Sequence, residues 1–186
     1  PESKLLNFMI VYLKEFAALA GGADQVSIVV LFGGFLSFIY SLIQFFVAPI
    51  LGGLSDKYGR RPILFISVAG LALSYLWWGL AASFGALLGA RLLGGLMGSN
   101  ISTATAVVAD ITDKKSRSKG MAIVGIAFGL GFIFGPVIGG LSAKINLLDS
   151  WPQLADYGVN PFSVPAFIAF VVNMLALHLV YHHFKE

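Results

Sequence analysis

Five stretches of twenty or more residues in this chain are almost free of charge. Ser27 to Gly53, Ile63 to Ala82, Gly120 to Ala143 and Ser163 to Phe184 contain no Asp, Glu, Lys or Arg, and Phe84 to Ala109 contains only Arg91. A bilayer core about 30 Å thick takes roughly 20 helical residues to cross. Backbone amides and carbonyls in lipid must bond within their own segment, and strands of this length would show alternation, so each run predicts a helix. The expected fold is an all-α integral membrane bundle. Composition agrees: 58% of the residues are hydrophobic and 11% charged, against roughly 25% charged in soluble domains. Mean hydropathy is +0.86.

The formal charge of +3 raises the question of nucleic acid, but the basic residues sit in short junctions between apolar runs. That distribution follows membrane topology rather than phosphate binding. Lys57, Arg60 and Arg61 share one junction, Lys114, Lys115, Arg117 and Lys119 another, and Lys185 follows the last run. Only Lys144, Lys4 and Lys14 fall on the other side, so the first set is expected to face the cytoplasm together with the C-terminus. The chain has no cysteine, which excludes disulfide frameworks and Cys-based metal sites and leaves the redox compartment open. No secretory signal is visible, because Lys4 and Lys14 lead into no cleavage-like motif of small residues.

Residues 1–22 behave differently from the rest, which forms a helical unit over 23–186. Lys4, Asn7, Lys14 and Ala18 recur on one side at helical spacing, and Leu6, Met9, Leu13 and Phe16 on another. An interfacial amphipathic helix outside the cytoplasm is expected; the remnant of a first span fits the same pattern less well. Lys14 and Glu15 would each cost about 2.5 to 3.5 kcal/mol at mid-bilayer. Five spans ending inside, and a first residue Pro1, lead to the expectation of a further span upstream.

The junction after the first run reads Gly52-Gly-Leu-Ser-Asp56-Lys57-Tyr-Gly59-Arg60-Arg61-Pro62. Gly52 allows close helix approach, Gly59 a tight reversal, and Asp56 is expected before a helix whose first turn favours negative charge. Pro62 suits that first turn, and paired arginines hold phosphates or carboxylates. The segment resembles the G-x-x-x-D-[RK]-x-G-[RK]-[RK] loop of the major facilitator superfamily at every specified position. A generic positive-inside loop is the plain alternative.

Arg91 to Gly95 reads R-x-x-x-G, similar to a motif in the family's fourth helix. Arg91, Gly95, Gly98, Ser102 and Thr105 fall on one helical face, which is expected to look into the bundle and line a cavity. An arginine snorkelling to the outer interface is the alternative. Gly131, Gly135, Pro136, Gly139 and Gly140 form the ending G-x-x-x-G-P-x-x-G-G of a helix typical of drug and proton antiporters. The pattern's opening glycine is Ala122 here. Glycines spaced by four admit a neighbouring helix, and Pro136 removes a backbone bond, so a pliable, tightly packed helix is expected.

The three motifs fall in order and resemble the drug/proton antiporter branch over about Ser27 to Phe184. The tetracycline-transporter-like organic-anion exporters of animals look nearest, on Val30 to Gly34, Ser99 to Ser102 and Gly120 to Ala127. The resemblance implies the N-terminal half of that fold, with its second to sixth helices present and its first helix and C-terminal six-helix half as missing partners. It also implies an inner gate of charge pairs with Asp110 near Asp56 and Arg60, a small-molecule substrate, and proton-coupled antiport by alternating access without a cofactor.

Proton coupling needs an embedded acid, and no span holds one in its interior, so the carrier is expected elsewhere in the protein. Tyr40 and Gln44, four residues apart, are expected to share a cavity-lining face, or else to pair with adjacent helices. His178 and His182 read as interfacial histidines, Trp77 and Trp78 as an interfacial belt rather than a cation cage. Adjacent His182 and His183 point apart on a helix, unlike a metal-ligand pair, and Ser99 and Ser102 lack a base, so no enzyme is expected. A non-transporting receptor on the same fold, or a self-pairing six-helix module, remain the competing readings.

Overall fold

The computed structural model describes residues 25–160 and 163–183, with side chains from residue 31. The amphipathic helix expected over 1–22 lies outside the described residues. Helix α1 runs Gln25–Tyr58, α2 Arg60–Gly79, α3 Phe84–Met97, α4 Asn100–Ile111 and α5 Arg117–Ser142. A short α6, Leu147–Ser150, and a 3-10 turn, Pro152–Tyr157, lead into α7, Ser163–His183. Counting α3 and α4 together, five helical segments among the described residues are long and apolar enough to cross a membrane.

A single residue separates α1 from α2. Gly59 takes φ 98 and ψ 153, a conformation essentially confined to glycine, and this lets the chain reverse at once. Because α1 continues to Tyr58, Asp56 lies in the last turn of α1 rather than before α2. That corrects the sequence expectation. The helix dipole disfavours an acid there, and Arg60 offsets it by pairing with Asp56 one turn on.

The apolar run from Phe84 to Ala109 is not one helix. It is interrupted at Gly98 and Ser99, whose backbones sit at ψ −3 and 15. At its N-terminal start the Ser83 hydroxyl caps α3 by accepting from the Ala86 amide at 3.2 Å.

Small residues pack beside a few larger ones such as Leu36 and Leu87. Ser55, Ser67, Ser74, Ser99, Thr103, Ala72, Ala90 and Ala166 are buried, while Phe45 and Phe132 are 73% and 77% exposed. This inverts the soluble pattern and suits a bundle whose solvent is hydrocarbon. Several of the serines satisfy their hydroxyls on their own helix, as Ser67 does on the Leu64 carbonyl at 3.1 Å. Helix α7 lies antiparallel along α2: a Cβ at Gly79 would fall 2.7 Å from the Phe167 ring, and the Arg61 guanidinium donates to the Tyr181 carbonyl at 2.7 Å.

Helix α5 contrasts with the rest. Gly120 packs on Val108 of α4 and on Thr112 just after it. From Gly125 to Gly140, no described atom beyond the neighbouring turn of α5 itself lies within 4 Å of where a Cβ would stand on any of its glycines. The tight packing expected around Gly131, Gly135, Pro136, Gly139 and Gly140 is therefore not made among the described residues, and Gly52 on α1 is equally open.

Candidate functional site

Functional side chains gather at three levels along the bundle. At the end where α1 meets α2, Arg60 Nε donates to Asp110 Oδ2 at 3.0 Å, and the same guanidinium pairs with Asp56 and donates to Ser55 Oγ at 2.7 Å. The resemblance put Asp110 beside Asp56 and Arg60, and the structure brings these side chains together. Asp56 and Asp110 are 64% and 58% exposed, so the clasp is a solvated one. Lys57 lies beside it, its Nζ 5.1 Å from the neighbouring Tyr58 ring.

Further along, Arg91 of α3 lies 3.9 Å from the Trp78 ring and 5.9 Å from the Tyr40 ring, in a recess that Tyr75, Ser74 and Leu71 complete. Its Nε is buried and unbonded, and among the described residues no carboxylate pairs with it. Trp78 thus holds a cation, which corrects its assignment to an interfacial belt. The aromatic quadrupole replaces part of the lost hydration without neutralising the charge. Sequence reasoning missed Tyr75 and Trp78 as partners of Arg91. The available signal was an arginine in a span with no acid to meet, opposite an aromatic pair three residues apart on one helix face.

Between these levels lies the interruption between α3 and α4. Tyr40 packs over Gly94, Gly95 and Gly98, and a Cβ at Gly95 would stand 2.9 Å from the Tyr40 carbonyl oxygen. Gln44 donates its side-chain amide to the Gly98 carbonyl at 2.8 Å, and Ser99 Oγ donates to the Gln44 carbonyl at 3.2 Å. Both residues therefore pair with the adjacent helix. Gly95 and Gly98 are buried, but Ser102 is exposed and returns its hydroxyl to the Ser99 carbonyl at 3.0 Å. The continuous inward face expected from Arg91 to Thr105 is split at Gly98.

Beyond it, α4 and α5 enclose an open apolar groove of about 540 Å³, lined among others by Ile101, Thr105, Val108, Ala127 and Phe132. At the far end of the bundle Ser163 Oγ donates to the Gly79 carbonyl, and Asn160 Nδ2 to the Ala81 carbonyl at 3.3 Å. The rings of His178 and His182 near the end of α7 are tilted to one another, with centroids 4.4 Å apart.

A multi-pass helical membrane bundle with an ionic clasp at one end and a caged cation inside is the class this geometry defines. The chain belongs to the Major Facilitator Superfamily, a family of membrane transporters whose sequence profile matches residues 4–184. It is 50% identical over 110 residues to the bovine Major facilitator superfamily domain-containing protein 10, covering 59% of this chain and 24% of that one. It is 37% identical to the class B tetracycline resistance protein of Escherichia coli, over 82% of this chain and 34% of that one. The crystal structure of the human organic anion transporter MFSD10 (TETRAN) superposes with a TM-score of 0.69 at 34% identity, covering 91% of this chain and 36% of that chain. The chain thus spans about a third or less of the length of these relatives. The resemblance drawn from the three motifs is borne out.

Proposed function

We propose that this chain supplies five helices of a secondary active transporter that exchanges amphiphilic organic anions for protons by alternating access. The observation that carries the reading is Arg91, a permanent cation within a span, set over Trp78 with Nε unbonded and no described carboxylate beside it. A charge inside hydrocarbon is costly, and its donors suit the carboxylate or sulfonate of a bound anion. The apolar groove between α4 and α5 offers the other half of an amphiphile a surface. The relatives named for organic anions and for tetracycline resistance point the same way.

In this reading Asp56, Arg60 and Asp110 form the inner gate, with Lys57 and Arg61 beside it, and the C-terminus lies in the cytoplasm. The open glycines of α5 meet the C-terminal half of the same protein, and a further helix upstream completes this half. The proton carrier sits in one of those parts.

The test is substrate-driven proton movement in liposomes holding the complete protein, read with a trapped pH dye. Arg91→Ala removes a charge-assisted contact of about 1.5 to 3 kcal/mol, so flux should fall roughly ten- to a hundredfold. Anion binding with no proton movement by the unaltered protein would favour a receptor instead. Undiminished flux in Arg91→Ala would remove that residue from the site.

A further inference from the structure

The interruption at Gly98 and Ser99 divides the span Phe84–Ile111 into an arm that carries the caged Arg91 and an arm that carries Asp110 of the inner clasp. Polar backbone exposed at such a break inside a bilayer needs a partner. Here the partner comes from α1. The Gln44 amide donates to the Gly98 carbonyl at 2.8 Å, and the Ser99 hydroxyl donates back to the Gln44 carbonyl at 3.2 Å. These reciprocal bonds join the two helices across 54 and 55 residues of sequence. One turn earlier Tyr40 lies over Gly94 and Gly95 and reaches the Arg91 guanidinium with its ring face at 5.9 Å. A glycine followed by a serine is a common place for a helix to hinge, since neither adds bulk and the hydroxyl competes for backbone bonds.

We propose that Gln44 is a positioning residue: by bonding to the Gly98–Ser99 joint it sets how the Asp110 arm stands relative to the Arg91 arm, linking the caged cation to the inner clasp. Gln44 contacts no substrate. It acts by holding the joint while Arg60 bonds Asp110, and by releasing it when the clasp opens. Hydrogen bonds between membrane helices are individually weak, about 0.6 kcal/mol on average, which suits a joint that must let go.

The inference rests on the transport reading for its kinetics but not for its geometry, so two measurements are made on the complete protein. In the first, spin labels at Tyr58 and Ile111, both exposed, report the distance distribution across the inner end. Gln44→Met keeps side-chain length and removes the amide donors, and Leu42→Ala on the exposed side of α1 serves as control. Gln44→Met should broaden or shift the distribution, and Leu42→Ala should leave it as in the unaltered protein. An unchanged distribution in folded Gln44→Met overturns the proposal whether or not the protein transports. In the second, flux is measured against organic-anion concentration. Gln44→Met should lower kcat roughly threefold, the worth of one such bond, with KM unchanged within error, since only the moving joint is impaired. A raised KM with kcat intact would make Gln44 a cavity-lining contact and overturn the positioning role. Ser99→Ala, which removes only the returning bond, should shift the spin-label distribution in the same direction as Gln44→Met but less; no shift in either would also refute it. Absence of flux in the unaltered protein would defeat the transport reading, while the label distances would still decide the joint.

Discussion

The two ends of the bundle are tied in opposite ways. At the α1–α2 end, Arg60 bridges Asp56 and Asp110, and both carboxylates are more than half exposed. At the other end, Ser163 and Asn160 are buried and bond to the carbonyls that α2 and the residue Ala81 present after it. A solvated ion pair contributes about 0 to 1 kcal/mol and is screened by salt. A buried neutral bond leaves an unsatisfied carbonyl when cut, at about 1 to 3 kcal/mol. The first kind of tie can open and close within a working cycle; the second holds a fold. The difference teaches that charge at a helix end need not mean strength.

That contrast can be broken most severely at the neutral end. Asn160→Ala combined with Ser163→Ala should destabilise the protein by roughly 3 kcal/mol, read as a lowered melting midpoint in detergent. A midpoint within error of the unaltered protein would show that water replaces these bonds. Next comes the turn beside the ionic clasp. Gly59→Ala places a Cβ at φ 98 and ψ 153, a strain on the order of 2 kcal/mol in the same assay. The smallest stability effect belongs to the clasp itself. Arg60→Ala and Asp110→Asn should each change stability by no more than about 1 kcal/mol. Both should nevertheless make a cysteine at Ile111 react faster with a thiol reagent, because the clasped end opens more often. A loss of several kcal/mol in Arg60→Ala would erase the distinction between the ends.

Much of this was legible in the residues. The apolar runs give the helices because lipid leaves the backbone no other solution, and Gly59 with its basic neighbours marks the turn. Asp110 beside Arg60 was reached through family resemblance. Other features depend on how helices register against one another, which a single sequence does not encode locally. Gly98-Ser99-Asn100 sits inside a charge-poor run, and its Gly-Ser pair is a weak local signal; the break shows in the backbone and in the bond Gln44 makes to it from more than fifty residues away. Trp78 looked like any interfacial tryptophan until α3 set Arg91 over its ring. Asp56 was misplaced because α1 continues past the last apolar residue into the charged motif, so the helix end fell five residues later than hydropathy indicated. The glycines of α5 remain a pattern without a partner among the described residues.

The most direct measurement concerns which way these ends face. Single cysteines at Lys115 and at Asp149, placed in a complete protein with no other reactive thiol, are probed with an impermeant reagent in sealed vesicles of known orientation. Lys115→Cys should be labelled only from the cytoplasmic side and Asp149→Cys only from the opposite side. Labelling of both from one side would contradict this, because the ionic and neutral ties would then not lie on opposite faces of a membrane.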